Sequence, residues 1–304
     1  MARRGLPKLL ETVRQGTRWD SELWRRALIA GVLHGPDPLI RYSPPVFGLL
    51  FGAILGEKRR GVEETLRRLK GEQSTLDRLS DVAGVFTNYA CCLTDAFLVG
   101  ADRGYEARAR SANESLHFRQ SEQPGRGVIL ATAHTAGWDV AGHLLATLDS
   151  KEVIIVMEAE RDRQAMHLHD DARSRAGIRI AHVGDDPLAA LPLLAHLRRK
   201  QGVVAMKIDR TAPGMRCRPV RFLGGPWRIP EGIFTLAATS GAPILPVFTR
   251  RLGFLEYEFV TAPPLSISRR PSDAELDEAA QRLATLLEQF ARANPHQWFR
   301  FDEI

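Results

Sequence analysis

The chain has 304 residues, of which 44% are hydrophobic and 26% charged. This fits one large α/β unit or two smaller ones with a sizeable core, and it excludes a disordered or low-complexity polymer. A net charge of +6 and a pI near 9.5 point to an anionic partner: nucleic acid, an anionic membrane surface or a phosphate-bearing substrate. Cys91, Cys92 and Cys217 give no disulfide framework and fit a reducing compartment, with the adjacent Cys91 and Cys92 expected inside a helix.

Residues 1–118 are expected to form a helical, membrane-associating region packed on the core. Met1 to Gly16 is basic but lacks the long apolar stretch of a signal peptide. Trp24, Leu28, Ile29 and Leu33 fall near helical spacing beside Arg25 and Arg26. The run Pro45–Gly56 is the most apolar segment, about a dozen residues against the roughly 20 needed to cross a bilayer. Glycines interrupt it and Lys58-Arg59-Arg60 follows it. A buried helix and a helix lying in the membrane interface both fit. Val62–Lys70 is a charged amphipathic stretch, and residues 120–126 form a polar, turn-rich connector.

From there to the end, residues 119–304, strand and helix patterns alternate. Strands are expected at Gly127–Ala133, Glu152–Met157, Ile178–Val183, Gly202–Ile208, Pro219–Leu223, Pro243–Thr249 and Leu255–Val260. Helices are expected at Trp138–Leu148, Arg161–Ala176, Pro187–Lys200, Glu231–Ser240 and Asp273–Ala293, the last opened by Pro271-Ser272-Asp273 and closed by Asn294-Pro295. The alternation predicts an α/β fold: a mixed, largely parallel sheet of about seven strands flanked by helices, integrated with the helical N-terminal region. Ligands of such a sheet gather at the carboxyl ends of strands, where His134 and Asp209 both fall.

The segment His134-Thr135-Ala136-Gly137-Trp138-Asp139 is the most informative one. On one continuous helix His134 and Asp139 would point roughly 140° apart, so they could not meet. They meet only if His134 ends a strand and Asp139 opens the next helix, where the helix dipole favours a carboxylate. Asp139 is then expected to hold one imidazole nitrogen while the other faces substrate, with Trp138 alongside. The plain alternative is a buried capping histidine.

From Lys207 to Arg228 the chain carries Lys207, Arg210, Arg216, Arg218, Arg221 and Arg228, with Asp209 the only acid. Clustered guanidinium groups suit phosphates, although a solvated basic face has the same composition. Gly224 and Gly225 sit in a Gly/Pro-rich turn that lets backbone approach a ligand, or serves as a turn alone. His167 and His169, two apart, do not share a helix face and have no third partner spaced to help, so no metal site is expected. Gly-x-Ser-x-Gly, Walker A and Gly-x-Gly-x-x-Gly are absent, as are zinc-finger spacings and a basic-aromatic recognition helix; nucleic acid is not an expected partner.

The His-x-x-x-x-Asp of His134 and Asp139 resembles the first motif of the lysophospholipid acyltransferase superfamily. Its flanks, from Gly127 to His134 and Gly137-Trp138-Asp139, resemble the bacterial lipid A biosynthesis (lauroyl/myristoyl) acyltransferase branch. The likeness continues in order through Arg59-Arg60, the Arg173 to Ile178 segment, Asp209-Arg210, Pro219 to Gly225, Pro230 to Pro246 and the terminal Pro295-His296-Gln297-Trp298. The set covers nearly the whole chain. It departs from many lipid A enzymes in closing the first motif on Asp139 rather than Glu, in placing Lys207 and Ile208 before Asp209, and in an amino-terminal span that is missing or shortened. Its ending looks more like relatives associated with aryl polyene or other specialised lipids.

The resemblance implies an acyltransferase that moves a fatty acyl group from an acyl thioester, on acyl carrier protein or coenzyme A, to a hydroxyl or amine of a membrane lipid. His134 would be the general base, oriented by Asp139. Arg173, Lys207, Asp209, Arg210, Arg216, Arg218, Arg221, Gly224, Gly225 and Trp138 would serve substrate and phosphate binding. No resident cofactor or metal is implied, and the expected place is the cytoplasmic face of the bacterial inner membrane, peripheral or monotopic. A catalytically silent lipid- or carrier-binding module and a thioesterase-like hydrolase are the competing expectations.

Overall fold

The computed structural model describes residues 29–99, 101, 103–110, 114–122, 125–149, 152–158, 179–183, 190–199, 202–212 and 214–302. The helix expected over Arg161–Ala176, with His167, His169 and Arg173, lies outside them, as do Trp24 and Leu28.

The elements are α1 (Asp37–Tyr42), α2 (Pro44–Ile54), α3 (Gly56–Lys70), α4 (Thr75–Val99), β1 (Arg108–Arg110), α5 (Glu114–Ser121), β2 (Val128–Thr132), α6 (Trp138–Asp149), β3 (Glu152–Glu158), β4 (Arg179–Val183), α7 (Ala190–Leu197), β5 (Gly202–Lys207), β6 (Cys217–Phe222), β7 (Gly225–Pro230), α8 (Gly232–Ser240), β8 (Ile244–Gly253), β9 (Glu256–Thr261) and α9 (Asp273–Ala293). Seven strands form one sheet in the order β1-β9-β8-β2-β5-β3-β4. All its pairings are parallel except β8 with β9. The central strand β2 reads Val-Ile-Leu-Ala-Thr and is buried on both faces, as parallel strands covered by helices require. In its register with β5, Ile129 faces Val204 and Thr132 faces Lys207.

Helices cover both faces. On one, α9 presents Leu276, Ala279, Ala280, Leu283, Leu287 and Phe290 at helical spacing to the sheet. Its start is fixed by Ser272, whose side chain accepts the Glu275 amide, and by Asp273 and Glu275 in the first turn. On the other face, α6 sets Val140 and Leu144 against Leu130, Ile155 and Tyr257.

The sheet matches the sequence expectation, with one exchange of membership. The expected strand over Pro219–Leu223 is β6, which pairs with β7 in a separate antiparallel hairpin. The short strand β1 completes the seven in its place. Pro226 and Pro230 mask β7 in the sequence, because proline donates no ladder hydrogen bond; a two-stranded ribbon tolerates it.

The N-terminal helices show which way the apolar run faces. In α2, Gly48 and Gly52 are buried against α4, so close that a Cβ on Gly48 would lie 2.6 Å from the Phe86 carbonyl oxygen. The large side chains point the other way: Val46 is 65% exposed, Leu50 51% and Ile54 63%. The glycines therefore form the packing face rather than breaks, and α2 is a surface helix, not the buried helix that was one of its two readings.

Helix α4 is the one helix, among the described residues, long and apolar enough to cross a membrane by length and composition. Its buried acids tie it to the rest of the fold. Asp95 accepts from Arg251 Nε (2.8 Å), the Tyr257 hydroxyl (2.6 Å) and the Leu255 amide (3.3 Å). Asp81 accepts from Lys70 Nζ (2.5 Å) and Gln73 Nε2 (2.7 Å), and bonds His296 Nε2 at 2.7 Å. These contacts make α4 a core helix. Cys91 and Cys92 lie within it as expected, and burial pushes both thiols up.

Candidate active site

Parallel register builds the site. His134 follows the end of β2 by two residues and Asp209 follows the end of β5 by two, and the two strands are paired at Thr132 and Lys207. The Ile208 amide donates to the Thr132 carbonyl (2.9 Å), carrying the pairing one step further. His134 and Asp209 thus arrive side by side at the carboxyl edge of the sheet, where strand-end loops converge.

His134 Nδ1 lies 2.9 Å from Asp209 Oδ1. The other carboxylate oxygen accepts the His134 amide (3.1 Å) and Trp298 Nε1 (2.9 Å). Asp209 is 1% exposed. With three donors around it, the carboxylate holds the ring in the tautomer that carries its proton on Nδ1. The orienting acid expected in the sequence was Asp139, and the structure corrects that assignment. Asp139 opens α6 as anticipated, and it lines the wall of the cavity into which His134 faces. A five-residue spacing admits His134 and Asp139 to one site, but the strand pairing decides which acid meets Nδ1.

The segment Gln297–Arg300 locks this edge. Trp298 pairs with Thr135 as an isolated bridge, the Phe299 amide donates to the His134 carbonyl (2.7 Å), and the Ala136 amide donates to the Gln297 carbonyl (2.8 Å). Arg300 Nη1 donates to the Asp209 carbonyl (3.1 Å). Gly137 turns the chain into α6 with φ of +77°, and a Cβ there would run into the Tyr257 ring. Glycine meets both demands at once.

On its other side, His134 Nε2 lies 3.3 Å from Lys207 Nζ, which sits 3.4 Å above the centroid of the Trp138 ring. The cavity beyond has a volume of about 370 Å³. Its polar wall includes Lys58, Lys207, Arg210, Asp139 and Asp302, and its apolar wall Leu55, Phe86, Tyr89, Leu93 and Met157. Lys58 pairs with Asp302 at 2.7 Å, and Arg210 Nη2 donates to the Phe299 carbonyl (3.2 Å). Leu55 and Lys58 place the junction of α2 and α3 on the wall of this cavity.

Of the other residues expected to bind substrate, Trp138, Lys207 and Arg210 line the cavity. Arg218 instead pairs with Glu231 (3.2 Å), Asp273 (2.8 Å) and Asp277 (3.3 Å), bracing β6 against α8 and α9. The Arg221 backbone bonds the Gln281 side chain. Gly224 and Gly225 sit at the β6–β7 hairpin turn, and Arg216 precedes β6; these residues are not part of the cavity wall. Lys58, Phe299 and Trp298 escaped the sequence reading as site residues. Trp298 was visible only as part of a terminal motif, and Lys58 as a charge after an apolar run.

Burial is the largest influence on His134 and pushes its pKa down to about 4; Asp209 opposes the shift and the Lys207 charge adds to it. Asp209 is held well below the usual carboxylate range because His134 and Trp298 outweigh its burial. Both depressed values make the unfolded chain bind more protons than the folded one, so acid destabilises the fold. The His134 part of this stability is present above about pH 6.5 and is lost as pH falls toward about 4. The ring is accordingly neutral at pH 7 and able to accept a proton. A base-dependent rate is expected to persist from neutrality down to about pH 5 and to fall below it. A pH–rate profile with its acid limb at or above the ordinary histidine pKa of about 6.5 would contradict this assignment.

Known proteins resemble the chain across this whole framework. The family model described as bacterial lipid A biosynthesis acyltransferase matches residues 24–303. Two curated phosphatidylinositol mannoside acyltransferases, from Mycobacterium tuberculosis strains ATCC 25618 / H37Rv and CDC 1551 / Oshkosh, are each 26% identical over 188 residues. The match spans 60% of this chain and 55% of each relative's length. A crystal structure of the 1-acyl-sn-glycerophosphate (LPA) acyltransferase PlsC from Thermotoga maritima aligns over 82% of this chain and 95% of its own, with a TM-score of 0.37 and 13% identity. The family match runs through the helices that carry Lys58, both strands that deliver His134 and Asp209, and the terminal segment that holds them; the chain belongs to the bacterial lipid A biosynthesis acyltransferase family.

Proposed function

We propose that the protein transfers an acyl group from a thioester, on acyl carrier protein or coenzyme A, to a hydroxyl of a membrane lipid. The observation that carries this reading is an imidazole held by Asp209 at the wall of a cavity that is also lined by Leu55, the residue that closes α2. His134 Nε2 takes the proton of the acceptor hydroxyl, and the acceptor oxygen attacks the thioester carbonyl. Asp209 keeps the proton on Nδ1 and stabilises the imidazolium that forms. The tetrahedral intermediate collapses with cleavage of the C–S bond, and His134 returns its proton to the departing thiolate. No acyl-enzyme is needed. The names of the mycobacterial relatives make a mannosylated phosphatidylinositol the first acceptor to test.

Membrane contact by α2 belongs to the same proposal. A helix that hides glycines and exposes Val46, Phe47, Leu49, Leu50 and Ile54 is built for an apolar medium on its outer side. Arg59 and Arg60 follow it on α3, where anionic headgroups would lie. Replacing Phe47 and Leu50 by Glu is expected to abolish co-sedimentation with vesicles of anionic phospholipid while leaving the thermal melt unchanged, because neither side chain is in the core. Unchanged vesicle binding by the folded double variant would show that another surface does the docking.

The transfer itself is tested by following thiol release from palmitoyl-coenzyme A and from palmitoyl-acyl carrier protein, with and without vesicles of a bacterial lipid extract. Thiol release that requires lipid and yields acylated lipid supports the proposal. Release of free fatty acid at the same rate without lipid would make the protein a hydrolase.

A further inference from the structure

The proposed acyl transfer places a negative charge on the former carbonyl oxygen of the thioester, and the donors that meet it can be sought group by group. Backbone amides at the start of α6 are the obvious source, since a glycine turn at a helix N-terminus often supplies them. Those of His134 to Trp138 are committed elsewhere. The His134 amide donates to Asp209, the Thr135 amide to the Ala133 carbonyl (2.7 Å) and the Ala136 amide to the Gln297 carbonyl. The Gly137 amide faces the Cys92 thiol, and the Trp138 amide donates to the Thr135 carbonyl (3.3 Å). The β6–β7 turn, the second glycine candidate, does not line the cavity.

Among the described residues, the cation nearest the reacting nitrogen is Lys207, with Nζ 3.3 Å from His134 Nε2 and 3.4 Å above the Trp138 ring centroid. It is the last residue of β5, two positions before Asp209, so strand geometry fixes its origin beside the base. The acceptor hydroxyl must approach Nε2 within hydrogen-bond distance, and in doing so it takes the place that Nζ now occupies. The carbonyl carbon then lies within a bond of that hydroxyl oxygen, and its own oxygen lies one bond further on. An ammonium displaced from Nε2 by the acceptor needs to move only a few ångströms to reach that oxygen.

We propose that Lys207 is a catalytic residue that passes from His134 Nε2 to the carbonyl oxygen of the thioester and stabilises the tetrahedral oxyanion. The inference rests on the acyl-transfer reading above. In the attack step the acceptor O–H proton goes to Nε2, the C–O bond forms, and the carbonyl π pair moves onto oxygen opposite the Lys207 charge. In the collapse step that pair re-forms the carbonyl, the C–S bond breaks, and Nε2 gives its proton to the thiolate. Lys207 keeps its protons throughout. The Trp138 face holds the ammonium in place between turnovers. Lys207 also penalises a protonated His134 until the oxyanion forms, since two adjacent cations repel unless a negative charge lies beside them.

Two analogues of palmitoyl-coenzyme A separate this role from ordinary substrate binding. A ketone joined to the coenzyme A arm through a difluoromethylene group, in place of the thioester, forms a tetrahedral hydrate with an acidic hydroxyl, whereas a thioether lacks the carbonyl oxygen altogether. Wild type is expected to bind the ketone more tightly than the thioether. Lys207→Met is expected to lose that preference by about 10²-fold, with thioether affinity unchanged, and Lys207→Arg to restore part of it. In turnover, Lys207→Met is expected to lower kcat by a similar factor and leave KM nearly unchanged. An equal loss of affinity for both analogues, or no loss for either, overturns the oxyanion role while leaving the base assignment standing. A kcat raised in Lys207→Met also overturns it, because the lysine would then only obstruct the base. Wild type that binds neither analogue overturns the inference as stated for a coenzyme A thioester, and the acyl-transfer reading then stands or falls on thiol release from palmitoyl-acyl carrier protein. Thermal melts of both variants and the milder Arg substitution separate these outcomes from misfolding.

Discussion

Asp209→Asn is expected to lower kcat/KM for acyl transfer by about 10²–10⁴-fold without removing the substrate cavity. The reason lies in how the donors divide around the carboxylate. One oxygen takes two of them, the His134 amide and Trp298 Nε1, and the other faces Nδ1. An asparagine keeps its single carbonyl oxygen where two donors converge, which turns its NH₂ toward the imidazole. Nδ1 must then become the acceptor, and the ring proton moves to Nε2, the atom that has to take the acceptor's proton. The substitution keeps the volume and inverts the tautomer. It also removes a buried negative charge that interacts with His134 and with the half-buried Arg300, so a lower melting temperature accompanies the loss of rate. Steady-state kinetics on folded protein, with nitrogen NMR of the His134 ring, check both halves. A variant within about ten-fold of wild type would show that another acid, with Asp139 the first candidate, orients the base.

Asp95→Ala is expected to have the largest effect on stability, about 3–5 kcal/mol. The Asp95 carboxylate is 1% exposed and accepts from Arg251, Tyr257 and the Leu255 amide. Alanine leaves a guanidinium and a phenol in the interior with their partner gone. Thermal unfolding is expected to drop by more than about 5 °C. The consequences reach the active site, because the Tyr257 ring packs beneath the Gly137 turn that carries the chain away from His134. Activity should therefore fall through a loosened turn. A melt within about 1 °C of wild type would mean that α4 is not tied to the sheet in this way.

The sheet was legible in the sequence because its strands are the ones that simple physics marks clearly. Gly127–Ala133 and Gly202–Met206 are almost wholly apolar, as strands covered on both faces must be, with Thr132 and Lys207 at their carboxyl ends, and α9 announces itself by a serine cap, acids in its first turn and a regular apolar face. Strand β7 was hidden by its prolines, and β1 is only three residues long. The site was half legible. His134 was found from its place at a strand end, but its partner was sought nearby in the chain, where a spacing argument can operate. Asp209 is 75 residues away and reaches His134 through strand register, which a single sequence does not display. The same limit applies to Lys58 and Trp298, both brought in by tertiary contacts. Clustered arginines misled for a related reason. A charge cluster in sequence does not show that Arg218 is neutralised by acids from α9 and the start of α8. In α2 the periodicity could not say which face is inward, and close backbone contact at Gly48 decides it.

Base catalysis by His134 in lipid acylation is tested most directly by mixing a radiolabelled palmitoyl thioester with vesicles of bacterial lipid extract and measuring label in the lipid fraction. Wild type is expected to acylate lipid, and folded His134→Ala to do so at least about 10²-fold more slowly. Undiminished labelling by the alanine variant, or label appearing only as free fatty acid with wild type, would contradict the assignment.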